Sequence, residues 1–261
     1  MKHCIDELKS RYPQILMPIK KGIKDSEEYK NVVLRGEDCP YKDTFSRNPL
    51  DKLESVITPV GEVEVLSLID RDDFIHAVRA LGNKCEPVDV PDSTGAVAIF
   101  GLNNWEKVRA GKDNYKDSFI ILSSGNYSNV TCDMVNEITN NDYSLTKDSW
   151  RDKSITIRKY HELTHFVMRK KYPEDIKAIR DELIADSVGI ISAFGKLDER
   201  LLKLFLGVES DTYRKGGRLE NYEGGSIEHI PDIIKQIDHL KELFNDNNDI
   251  DDIWNNIERY M

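Results

Sequence analysis

Long apolar runs are missing from this chain, and no stretch approaches the ~20 residues a membrane-spanning helix needs. The opening residues, Met1-Lys2-His3-Cys4-Ile5-Asp6-Glu7, carry no apolar segment of signal-peptide length. Cysteine is sparse: Cys4, Cys39, Cys85 and Cys132 stand far apart with no Cys-x-x-Cys pair. That pattern argues for free thiols in a reducing compartment rather than a disulfide framework. Without a secretory signal, the glycosylation triplets at Asn126 and Asn129 read as accidental. Positive charge is in deficit, with 37 Lys and Arg against 47 Asp and Glu, a net charge of -10. General binding to nucleic acid or to an anionic membrane needs clustered positive charge, so neither partner is expected. The expected location is the cytoplasm.

What remains is a globular composition. Hydrophobic residues make up 39% and charged residues 32% of 261, enough for one large domain or two packed ones with a substantial core. The first 50 residues are polar and interrupted by Pro13, Pro18, Pro40 and Pro49, with short helices expected near Cys4 to Arg11 and Ser26 to Leu34. Val56-Ile57-Thr58 and Glu62-Val63-Glu64-Val65-Leu66, joined through Pro59-Val60-Gly61, read as strand, turn and strand. Phe74, Val78 and Leu81 have helical spacing, with Gly82 as a stop. His76 on that helix reads as a surface or edge residue. Ala96 to Phe100 and Phe119 to Leu122 are short apolar runs of buried-strand type.

Beyond about Asp142 the pattern turns helical. Ser144 or Thr146 can cap a helix whose apolar face includes Trp150, Ile157, Leu163, Phe166 and Val167. It should end near Tyr172, because Pro173 disfavours helical geometry before it. Pro173-Glu174-Asp175 reads as the first turn of a return helix running to about Phe194. Further helices are expected from Leu197 to Leu206, Pro231 to Phe244 and Ile250 to Tyr260. This predicts an α+β chain with a small mixed or antiparallel sheet in residues 1–143 and a helical part in 144–261.

One stretch of the long helix carries chemistry: Tyr160-His161-Glu162-Leu163-Thr164-His165-Phe166. Residues four apart on a helix share a face, so His161 and His165 can offer two imidazoles to one tetrahedral Zn²⁺. Glu162 lies where a carboxylate can take a proton from metal-associated water. A catalytic zinc ion usually takes a third protein ligand. In an antiparallel hairpin rising ~1.5 Å per residue, Glu182 comes level with the gap between the two histidines. Asp186, one turn on, draws beside His161, where it can accept the N–H of the other ring nitrogen.

His161-Glu162-x-x-His165 followed by Glu182-x-x-Ala185-Asp186 resembles the gluzincin metallopeptidases, over about thirty residues from Tyr160 to Gly189. The Glu-x-x-Ala-Asp form is similar to that of the heat-shock and prenyl-protein-processing zinc proteases, and related to that of the antirepressor-cleaving group. The chain departs from the membrane proteases in having no spans. It departs from metzincins in lacking a Gly-x-x-His extension after His165. The resemblance implies a zincin-like fold with an active-site helix hairpin, one Zn²⁺ ion and hydrolysis of a peptide or protein substrate. It also implies an edge strand, for which either apolar run is a candidate, and a site in the cleft between the two parts.

Gluzincins draw an oxyanion donor from beyond the third ligand. The glycine-rich loop from Tyr213 to Gly225 offers Tyr222 first and His229 next. Arg218 is expected to hold a substrate carboxylate. Two other readings stay open: a regulatory zinc protease with a single protein target, and a non-catalytic binding protein of the same fold.

Overall fold

The structure, a computed structural model, describes residues 3–174, 178–209, 212–214, 217–219, 230–245 and 247–261. The chain forms two compact units, Met1–Ile57 with Glu62–Ser124, and Thr58–Gly61 with Gly125–Met261. The sequence boundary at 143/144 therefore differs from the structural one, because residues 125–143 pack with the helices. Trp150 Nε1 donates to the Val130 carbonyl at 2.7 Å, and the Tyr127 ring lies edge-on to Phe205 at 5.0 Å.

The first unit is built on a four-stranded mixed sheet. Its strands are β1 (Lys52–Thr58), β2 (Gly61–Leu68), β3 (Ala96–Asn103) and β4 (Lys116–Ser123), in the spatial order β1-β2-β4-β3. Strand β2 runs parallel to β4, and β3 antiparallel to it. The two apolar runs thus have different fates. Phe119, Ile120, Ile121 and Leu122 are buried, as expected of an interior strand covered on both faces. Ala96 to Phe100 lie on an edge strand, with Phe100 51% exposed. The β3–β4 register shifts between Phe100 and Leu102, where Gly101 supplies a φ of +74°.

Helices α1 (Cys4–Arg11), α2 (Glu27–Tyr29), α3 (Arg71–Ala77) and α4 (Trp105–Arg109) complete this unit. Ile5, Leu8 and Tyr12 join Leu66, Phe74, Phe119 and Ile121 in its core. Tyr12 packs edge-on to Phe119 and donates its hydroxyl to the buried Asp117. Asn104 Nδ2 at 2.8 Å and Lys107 Nζ at 2.6 Å donate to the same carboxylate, which is how it is tolerated inside. His76 is half-buried rather than superficial, its Nε2 lying 2.9 Å from the Ile15 carbonyl.

The second unit centres on a helix pair. Helix α5 (Cys132–Ile138), not among the elements expected from the sequence, precedes α6 (Lys147–Lys171) and α7 (Ala178–Phe194). Thr146 and Ser149 form a reciprocal capping box at the start of α6, and Tyr172 ends it, one residue before Pro173. Pro173 and Glu174 lie in a turn, so the described return helix starts at Ala178 and not at the proline. Helix α8 (Glu199–Leu206) is capped by Asp198 and terminated by Gly207 in the left-handed conformation. Strands β5 (Val208–Glu209) and β6 (Thr212–Tyr213) form a short hairpin, followed by α9 (Ile230–Phe244) and α10 (Ile250–Asn255).

Helix α10 braces the long helix. Trp254 stacks on Tyr160 with ring centroids 5.8 Å apart, and its Nε1 donates to Thr164 Oγ1 at 3.0 Å. Lys171 Nζ returns the tie by donating to the Trp254 and Asn255 carbonyls. No described helix is long and apolar enough to cross a membrane.

Candidate metal centre

Helices α6 and α7 bring the three expected ligands together. His161 Nε2 and His165 Nε2 are 3.1 Å apart. Glu182 Oε1 is 3.2 Å from His165 Nε2, and Glu182 Oε2 is 3.5 Å from His161 Nε2. Two ligand atoms bound at ~2.0–2.1 Å to a tetrahedral ion stand about 3.3 Å apart; the His161–His165 and His165–Glu182 separations match that spacing, and one ligand atom from each of the three residues lies within 4.8 Å of the others. Among the described residues, His161, His165 and Glu182 form the one such group of metal-ligating side chains. They fit a borderline-soft divalent cation by donor type as well as by distance.

Burial makes this convergence costly without a compensating charge. His161 and His165 are 6% and 7% exposed, and Asp186 is fully buried. Asp186 Oδ1 lies 2.8 Å from His161 Nδ1. An ionised carboxylate only accepts, so the network assigns the Nδ1 proton to the histidine. In the neutral ring, Nε2 then carries the lone pair that faces His165 and Glu182, the tautomer a metal ligand needs.

Two residues from outside the helix pair complete the network. Tyr127, seen in the sequence only inside a glycosylation triplet, is buried and donates its hydroxyl to Asp186 Oδ1 at 2.5 Å. The Tyr127 hydroxyl oxygen is also 2.9 Å from His161 Nδ1. Arg218 reaches the other side: its Nη2 donates to Glu182 Oε2 at 2.6 Å, and its Nη1 to both oxygens of Asp186 at 2.9 and 3.0 Å. The carboxylates that Arg218 holds here are the protein's own. Tyr222 and His229, the expected oxyanion donors, lie outside the described residues.

The titration behaviour follows from these contacts. Burial would raise the Glu182 carboxyl, but the His165 hydrogen bond and the positive field of His161, His165 and Arg218 hold it at about 2. Burial also opposes ionisation of Asp186, and Arg218 and His161 outweigh it, so this carboxyl stays well below the usual range. Burial works to lower His161, yet the bond to Asp186 leaves its pKa raised. Burial pushes the Tyr127 hydroxyl far up, keeping it a donor. Glu162 is half-buried on α6, beside the first ligand in sequence, and its carboxylate makes no hydrogen bond or ion pair among the described residues.

No curated protein and no solved structure is significantly similar to the chain. A family of unknown function, DUF7005, matches residues 2–114 and 107–247, two segments that together span most of the sequence. The chain belongs to the DUF7005 family.

Proposed function

We propose that this protein is a zinc-dependent hydrolase, a metallopeptidase of gluzincin type with a zincin-like helix hairpin. The observation that carries this reading is the convergence of His161 Nε2, His165 Nε2 and a Glu182 carboxylate oxygen within 4.8 Å of one another, with Asp186 fixing the tautomer of the first imidazole. Those three side chains would hold the ion. When bound, zinc supplies a Lewis acid that makes water acidic near neutral pH and polarises a carbonyl.

The chain's own residues do the rest. Glu162 accepts the proton that water gives up and returns it to the leaving amine. Asp186 and Tyr127 keep His161 oriented, and the buried surroundings of the two histidines limit competing solvent. A peptide or protein substrate is supported by the resemblance. Tyr222 and His229 stay candidates for stabilising the oxyanion, in that order. A purely structural or binding site has no use for a carboxylate at Glu162, which favours catalysis.

The test is Glu162→Gln assayed on a peptide library by mass spectrometry. The variant should keep its metal and lose about 10²–10⁴-fold in turnover, the usual contribution of a general base. Full turnover in the variant would remove the assigned base.

A further inference from the structure

The placement of Arg218 is built, and not the accident of a long side chain on a surface. Its neighbours in sequence, Gly217 and Leu219, are both buried, and Leu219 N donates to the Leu206 carbonyl at 3.1 Å. Arg214 N bonds the Gly207 carbonyl at 2.7 Å, and Gly217 N the Arg214 carbonyl at 3.0 Å. A β-carbon on Gly217 would stand 2.6 Å from the Leu206 carbonyl oxygen, so only glycine lets this turn dock on the end of α8. The docked turn delivers a guanidinium to Glu182 Oε2, Asp186, Tyr127 Oη at 2.9 Å and Ser128 Oγ at 3.2 Å.

We infer that Arg218 is a positioning residue for the third ligand. Both Glu182 oxygens face the imidazoles, Oε1 3.2 Å from His165 Nε2 and Oε2 3.5 Å from His161 Nε2. By donating to Oε2 at 2.6 Å, the Arg218 fork engages that oxygen, leaves Oε1 as the one offered to the cation and holds the carboxylate to one-oxygen ligation. A carboxylate that ligates through one oxygen keeps the fourth tetrahedral position open, as a catalytic zinc site requires. The planar fork matters because one group must hold Glu182 and Asp186 at once. Charge works the other way, since a guanidinium beside a divalent cation repels it. Orientation and charge therefore predict opposite signs for the loss of Arg218, and the geometry points to orientation.

The inference rests on the metal-centre reading, and one experiment separates the two. Metal-stripped full-length chain, Arg218→Met and Arg218→Lys are titrated with zinc against a chromogenic chelator, and cobalt-loaded samples are compared by visible absorption. Both variants should bind zinc about 10–100-fold more weakly, the usual effect of losing a group that holds a ligand in place. Arg218→Met should also show weaker cobalt bands as Glu182 is freed to ligate through both oxygens. Wild type that takes up no zinc overturns the metal centre and this inference together. Zinc bound by wild type, and as tightly or more tightly by Arg218→Met, overturns the positioning role alone. Arg218→Lys matching wild type does the same, since charge without the fork would then suffice, and it decides the matter should Arg218→Met not fold.

Discussion

Gly189 of α7 lies so close to Ile157 of α6 that a β-carbon there would stand 2.7 Å from the Ile157 carbonyl oxygen. This contact sets the spacing of the helix pair two turns beyond Glu182, on the face that carries the third ligand. Gly189→Ala should push the helices apart and cost about 1–3 kcal/mol, the usual range for overpacking. Chemical denaturation measures that loss. Zinc titration of the same variant should show weakened binding, because Glu182 retreats from both imidazoles.

Asp186→Asn keeps the size of the side chain and removes the charge that orders His161. The asparagine amide can present a donor to Nδ1, favouring the wrong tautomer for ligation through Nε2. Zinc affinity should fall about 10–100-fold in a chelator competition assay. An unchanged affinity would mean that the helix pair alone orients the first ligand.

Tyr127→Phe removes one donor from a fully buried carboxylate. Leaving Asp186 short of that hydrogen bond should cost about 1–3 kcal/mol, visible as a lower midpoint in urea. A midpoint equal to wild type would show that Arg218 and His161 satisfy Asp186 by themselves.

Acid should act on the cap of α8, the helix whose end carries the Arg218 turn. Asp198 accepts from Arg200 Nη2 at 2.7 Å and from the Tyr143 hydroxyl at 2.9 Å. Burial pushes its carboxyl up, but these bonds outweigh it and leave the folded pKa below the ordinary 3.8. The unfolded chain thus takes up this proton at higher pH than the folded one. The stabilisation is fully present above 3.8 and is lost as pH falls through the lower folded value. Compared with Asp198→Asn, wild type should be more stable at neutral pH, with the difference closing only in acid. Urea midpoints across pH measure it, and a difference independent of pH would exclude the charge as its source.

Much of the site was legible because its parts are local. The spacing of His161 and His165 fixes a shared helix face, and the distance through the turn at Pro173 brings Glu182 and Asp186 level with them; the structure has them so. Helix ends were readable where a residue type forces them, as at Tyr172 before proline and at Gly207. Tyr127 was not legible, because nothing in Asn126-Tyr127-Ser128 signals burial, and its partners lie 34 and 59 residues away. Arg218 was seen as a functional cation, but its partners depend on how the turn docks on α8. The two apolar strands look alike in sequence, and only the pairing order made β3 the edge and β4 the interior.

The most direct measurement is the metal content of the purified full-length chain, wild type beside Glu182→Ala, by elemental analysis after removal of loosely bound ions. One zinc per wild-type chain, with loss of that zinc in Glu182→Ala, is the predicted result. A wild-type chain without stoichiometric metal, or a Glu182→Ala variant that retains it undiminished, would contradict it.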